Sequence, residues 1–122
     1  WLHQSDATLT FPQALVLRYG RFEPPERRQP QVAEDYAKWF HGRLRMLDAH
    51  LTQHEWLAGG RFTVADIAVG YALMLAEVIG LAKDFQPQTS AYWQRLKARD
   101  GYRRALAAQD KAAAEQGVKP GF

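Results

Sequence analysis

Apolar residues recur at three- and four-residue spacing along most of this chain, and no stretch alternates apolar with polar over a strand's length. The clearest case is residues 31–54. Val32, Tyr36, Phe40, Leu44, Leu47 and Leu51 form one apolar row, widened by Ala33 and Trp39. The spacing predicts a long helix. Gly42 is its weak point, costing up to about 1 kcal/mol against alanine, and a close approach by a second helix would account for it. Residues 1–22 predict a first helix with Leu2, Leu9, Leu15, Val16 and Tyr19 as apolar positions. Pro12 removes a backbone donor and crowds the preceding turn, so it kinks this helix or splits it into two short ones near Phe11. Gly20 marks its end, and the prolines and charges from Phe22 to Pro30 predict a connecting loop within one domain. Later, residues 81–87 read as a loop ending at Pro87. A short helix from about Gln88 to Ala98 carries Tyr92, Trp93 and Leu96. Asp100 is placed to cap a last helix over about 101–116. Tyr102, Ala105, Leu106, Ala112 and Ala113 form its apolar side and Gln109 interrupts it. Residues 117–122 read as a tail.

The stretch Gly59 to Ala68 organises the rest. Two glycines make a turn, and Thr63 then stands where a helix N-cap belongs. Its hydroxyl is expected to accept from the backbone N–H of Asp66, whose carboxylate reaches back to the N–H of Thr63 as a capping box. Phe62 before the cap and Ile67 in the first turn are spaced for a hydrophobic staple. From Val64 to Ile79 the only charged residues are Asp66 and Glu77. A helix apolar on nearly every side is expected to be buried on nearly every side. It falls short of the roughly 20 apolar residues a membrane span needs. The expected fold is therefore all-α: a five-helix bundle around this central buried helix.

Composition narrows the chemistry. The 122 residues suit one domain with a single core. There is no cysteine, which excludes a disulfide framework, a thiol nucleophile and Cys-ligated metal within this chain. No signal peptide or membrane segment is visible. The first residue is Trp1, and the opening enters an element already under way, so a piece of a longer protein is expected. The net charge of +3 is spread among helices with Asp and Glu between the arginines. That pattern describes a solvated surface rather than the basic stripe of a nucleic-acid binder.

No phosphate loop, nucleophile elbow or zinc motif is present. His50 and His54 lie four apart and could grip a metal only with a third ligand, which the neighbouring Glu55 is poorly placed to give. They read as solvated histidines near a helix C-terminus, where positive charge is favourable; His41 reads as a surface residue. Capping accounts fully for Asp66, and its loss is expected to cost roughly 1 kcal/mol or somewhat more. On a period near 3.6, His3, Asp6, Thr10, Gln13 (or Ala14) and Leu17 share one mixed polar stripe of the first helix. By itself that stripe is an exposed helix side.

The run Trp56-Leu57-Ala58-Gly59-Gly60-Arg61-Phe62-Thr63-Val64-Ala65-Asp66-Ile67-Ala68 resembles the core motif of the C-terminal domain of cytosolic glutathione transferases, of the bacterial type. The resemblance covers about Trp1 to Ala108. It implies a helical domain over 1–116, with a thioredoxin-like N-terminal domain absent from this chain. The first-helix stripe of His3, Asp6, Thr10, Gln13 and Leu17 would line the pocket of a small hydrophobic electrophile. The first two helices would build a homodimer interface. Glutathione would be the co-substrate of a cytoplasmic parent enzyme, held by the absent domain together with the group that activates its thiol. No cofactor, metal or catalytic residue is expected in this chain, which would be inactive alone. Members often carry Gly where Ala7 stands, a larger residue at Thr10, and Pro where Asp100 follows Arg99. The same helical domain also serves as a non-catalytic interaction scaffold in translation factors, synthetase assemblies and an RNA-polymerase-associated protein.

Overall fold

The computed structural model describes residues 1–119. The expected tail, 117–122, lies partly outside them. Among the described residues no strand forms, and the only β-like pairing is an isolated bridge between Ala58 and Arg61. Five helices carry the fold: α1 (residues 2–22), α2 (Pro30–Leu51), α3 (Val64–Val78), α4 (Pro87–Ala98) and α5 (Asp100–Glu115). Single 3₁₀ turns at Pro25–Arg27 and Ala82–Asp84 lie in the connections.

Helix α1 neither breaks nor simply kinks at Pro12. It runs through as α turns at Leu2–Gln4 and Phe11–Leu17, with wider π turns at Ser5–Thr10 and Arg18–Phe22. Proline offers no N–H to the carbonyl four residues back, and its ring presses on that carbonyl. A wide turn just ahead of the ring relieves both problems. Helix α2 opens with Pro30 in its first turn, where the missing N–H would have had no partner. It ends at Leu51, three residues before the expected limit.

Helix α3 is the centre. Asp66, Val69, Ala72, Leu73 and Ala76 are sealed from solvent, against Phe40, Leu44 and Leu47 of α2, Tyr92, Trp93 and Leu96 of α4, and Leu9 of α1. The expectation that α3 would be buried on nearly every side is corrected. Ile67 is 60% exposed and Tyr71 54%, and Val64 and Val78 are exposed as well. Val64, Ile67 and Tyr71 are three and four apart, so they form a stripe along one face. No element of the described residues lies over it, so apolar composition alone overstates the burial.

Glycines mark one turn and one close contact. Gly59 and Gly60 both adopt φ +64°, a left-handed conformation that side chains resist, and so reverse the chain ahead of α3. The close helix contact expected at Gly42 is instead at Gly70. A Cβ on Gly42 would meet only the end of Arg45 at 3.8 Å, whereas on Gly70 it would lie 3.2 Å from Leu96 Cδ1 of α4.

Asp100 does not cap α5. Arg99 occupies the N-cap position and Asp100 is the first helical residue, where its charge still favours the helix N-terminus. No residue of α5 is buried. Half-buried Tyr102 packs edge-on against Trp93, with ring centroids 5.5 Å apart.

Candidate functional site

The capping box forms, and Asp66 does far more than cap. Thr63 Oγ1 accepts from the N–H of Ala65 at 3.3 Å, and Asp66 Oδ2 accepts from the N–H of Thr63 at 2.8 Å. The Thr63 hydroxyl also donates to Oδ2, at 3.3 Å. Oδ1 takes the backbone N–H of Leu57 at 3.2 Å and the Tyr92 hydroxyl at 2.8 Å. A wholly buried carboxylate thus ties together the loop before α3, its first turn and helix α4. Burial, then the bond to Asp66, raises the Tyr92 pKa, so Tyr92 remains a neutral donor. Phe62 and Ile67, the expected staple, both line a surface groove between α3, α4 and α5, with Phe62 edge-on against Trp56.

The first-helix stripe is not brought together. His3 and Asp6 are exposed and Thr10 is half-buried, but Gln13 and Leu17 face inward. The wide turns explain this, because a π turn takes up more chain than an α turn and rotates the later residues away from the 3.6 period. The inward row is Ser5, Leu9, Gln13 and Leu17, four apart. Two of these are polar and act as straps. Ser5 Oγ donates to the carbonyl of Ala68 at 2.6 Å, and Gln13 Nε2 to those of Ala72 at 2.9 Å and Leu9 at 3.1 Å. Ser5 was not among the sequence candidates. The outward side of α1 carries Leu2, His3, Asp6, Ala7 and Phe11. Beside it α2 exposes Met46 and Trp39. Tyr36 stacks on Trp39 at 5.5 Å, and Arg43 lies 5.7 Å from the Trp39 ring centroid.

The histidines are accounted for locally. The rings of His50 and His54 stack 4.3 Å apart. Each has a ring nitrogen 3.1 Å from a backbone carbonyl, that of Trp56 for His50 and that of His50 for His54. Among the described residues no three His, Cys, Asp or Glu side chains gather as a metal site. Burial lowers the His41 pKa, against an opposing pull from Asp84, whose Oδ2 is 4.0 Å from Nε2. A depressed histidine binds fewer protons folded than unfolded. Its contribution is complete above the unfolded value near 6.5 and is lost as pH falls through it toward the lower folded value. Urea midpoints for the chain are expected to decline between about pH 7 and 5, and His41→Gln is expected to flatten that decline.

An apolar groove of about 410 Å³ lies between α3, α4 and α5. Ile67, Tyr71 and Met74 wall one side, Trp93 and Leu96 line it from α4, and Tyr102 closes the other side. Arg99 stands at its mouth, its Cζ 3.5 Å from the Phe62 ring centroid and 5.6 Å from that of Trp56. Sequence reasoning missed this groove. Its signal was the three- and four-residue spacing of Ile67, Tyr71 and Met74.

The glutathione S-transferase C-terminal domain profile matches residues 12–100. This chain belongs to that family. Glutathione S-transferase PM239X14 of Arabidopsis thaliana is 24% identical over 99 residues, spanning 68% of this chain and 45% of that protein. The tetrachloro-p-hydroquinone reductive dehalogenase of Sphingobium chlorophenolicum is 35% identical over 65 residues, spanning 52% of this chain and 26% of its own. The crystal structure of glutathione transferase URE2P5 from Phanerochaete chrysosporium superposes with a TM-score of 0.81 at 25% identity, covering 96% of this chain and 54% of its own. Glutathione S-transferase III in apo form gives 0.72 at 24% identity, over 88% and 52%. This chain therefore spans about half the length, or less, of the relatives it matches. No helix of the described residues is long and apolar enough to cross a membrane.

Proposed function

We propose that this chain, over residues 1–116, is the substrate-binding and dimerisation half of a cytoplasmic glutathione transferase, acting with a thioredoxin-like half that precedes it. The family match over residues 12–100 carries this reading. In the assembled enzyme the thioredoxin-like half binds glutathione and lowers its thiol pKa, because the thiolate is the nucleophile. The thiolate sulfur attacks an electrophilic carbon, and the leaving group departs with the electrons of the broken bond. The helical half holds the electrophile in line, and such positioning accounts for much of the acceleration in bimolecular reactions. His3, Asp6 and Thr10 on the accessible side of α1 face that substrate in this reading. Gln13 and Leu17 support the wall from behind. A small apolar electrophile is the substrate class, and the dehalogenase kinship supports testing chlorinated aromatic rings.

Division of labour between the halves gives the first test. Calorimetric titration of glutathione into the 122-residue chain is expected to give no heat, and the chain is expected not to conjugate a chlorinated nitrobenzene. Micromolar to low-millimolar binding would mean that α1 holds the peptide unaided and would overturn this assignment.

The exposed apolar residues of α1 and α2 form the homodimer seam in this reading. Met46→Asp places a charge on that seam, and burying an unpaired charge is prohibitive. Sedimentation of the whole enzyme is expected to show a dimer that the substitution converts to monomer. A wild-type monomer would remove the seam.

A further inference from the structure

Independently of the two-half reading above, we infer that the turn from Arg18 to Arg28, where α1 passes into α2, binds a phosphomonoester carried on a small molecule. The guanidiniums of Arg18 and Arg27 grip the phosphate between them.

Three observations converge on this ligand. First, one carboxylate positions two arginines. Arg18 Nε donates to Glu23 Oε1 at 2.9 Å and Arg27 Nε lies 3.3 Å from Oε2, so both oxygens of Glu23 are engaged. Each guanidinium meets Glu23 through Nε, and among the described residues its two terminal nitrogens have no hydrogen bond. Those nitrogens are the end-on fork that pairs with oxyanions. The Glu23 side chain is 12% exposed, whereas those of Arg18 and Arg27 are 54% and 66% exposed. The forks are thus anchored at the base and open to solvent at the tip.

Second, the charge is in excess and confined. Within residues 18–28, four arginines face two glutamates, which leaves +2 of the chain's +3 in one turn. Residues 7–17 before it and 29–33 after it carry no charge. An extended polyanion would need further cations along its path, whereas a single phosphate matches this local excess. A phosphomonoester carries about −1.5 to −2 at pH 7 and presents three acceptor oxygens, enough for both forks. A carboxylate has one charge and two oxygens, which one fork satisfies.

Third, the turn is set before any ligand arrives. Arg28 Nε donates to the carbonyl of Glu23 at 3.0 Å and Nη2 to that of Arg21 at 3.1 Å. The N–H of Glu23 bonds the carbonyl of Arg18 at 2.9 Å, and the N–H of Gln29 that of Tyr19 at 3.1 Å. Pro24 leads into the 3₁₀ turn at Pro25–Arg27. An anion that meets arginines already in place loses little binding energy to ordering them. Surface ion pairs add little to stability, and a second arginine on one carboxylate leaves positive charge that an anion relieves.

The test is calorimetric titration of phenyl phosphate into the 122-residue chain at low salt, where one saturable site is expected. Phenyl sulfate, with a single charge, and benzoate are expected to bind about ten-fold more weakly or not at all. Arg18→Lys and Arg27→Lys keep the charge and remove the fork, and each is expected to weaken phenyl phosphate binding about five-fold or more. Arg104→Lys, on α5, is expected to leave it unchanged. Both clamp residues are largely exposed, so their variants are expected to keep the wild-type Tm. If Arg18→Lys lowers it, the more exposed Arg27→Lys decides alone. No saturable heat, equal affinity for the three anions, wild-type affinity in the folded clamp variants, or an equal loss in Arg104→Lys would overturn the site. So would capture of the chain by phosphatidylcholine vesicles containing phosphatidic acid when phenyl phosphate does not bind, because the turn would then serve a membrane surface. Neither glutathione nor transferase activity enters these readouts, so this site and the two-half assignment can fail separately.

Discussion

Asp66→Ala is expected to lower the unfolding free energy by about 3–5 kcal/mol, the range for breaking a buried charged network on one side. Four donors converge on this carboxylate: the backbone N–H groups of Thr63 and Leu57, and the hydroxyls of Thr63 and Tyr92. Removing the acceptor leaves the Leu57 N–H and the Tyr92 hydroxyl buried with no partner, and each orphaned group costs about 1–3 kcal/mol. A cap alone is worth about 1 kcal/mol, so a loss near that figure would mean that water or a shifted loop replaces the missing oxygens. Tyr92→Phe removes only one donor and is expected to cost about 1–2 kcal/mol. The double-mutant cycle is expected to show clear coupling, because Oδ1 and the phenol are in direct contact. Urea unfolding of the four proteins at neutral pH supplies every value.

Trp93→Ala is expected to be comparably damaging, at about 3–5 kcal/mol for truncating a large buried aromatic. Its indole is 2% exposed and separates the core from the groove. The same ring is the anchor for α5, which has no buried residue and rests on it through Tyr102. The Lys97 ammonium lies 5.2 Å from the ring centroid and pairs with Glu77 of α3, so the loss spreads to that link as well. The variant is therefore expected to lose helical circular dichroism before any denaturant is added, as α5 comes away. A variant with full helicity and an unchanged urea midpoint would show that other contacts hold α5.

Much of this architecture was legible because local signals agreed with global packing. The rows on α2 and around Tyr92, Trp93 and Leu96 point inward as their spacing said, and the Thr63–Asp66 box announced the start of α3. Three things were not legible, each for a physical reason. The reach of Asp66 to Leu57 and Tyr92 is tertiary, and a capping motif says nothing of a partner 26 residues away. Helix periodicity shows which residues are apolar but not which face another element will cover, so the open stripe at Ile67 and Tyr71 falls on a helix expected to be buried on nearly every side. The α1 stripe failed as a geometric unit because a 3.6-residue period was carried across turns that are wider. Of its five members, His3 and Asp6 remain open to a ligand, Thr10 partly so, and Gln13 is spent on holding α1 to α3.

Those wide turns also make α1 a place where chain length can change by single steps. Within Ser5–Thr10 the backbone closes its ring one residue later than an α turn does. Deleting one residue there would let the segment relax into an ordinary α turn without breaking the helix. Everything ahead of the cut would keep its side of the axis, because an α turn with one residue fewer sweeps nearly the same angle as the π turn it replaces. Leu2 and His3 would stay on the outward side while Gln13 kept its grip on Ala72. Related chains could in this way differ in length within α1 and still keep both its inward straps and its outward face.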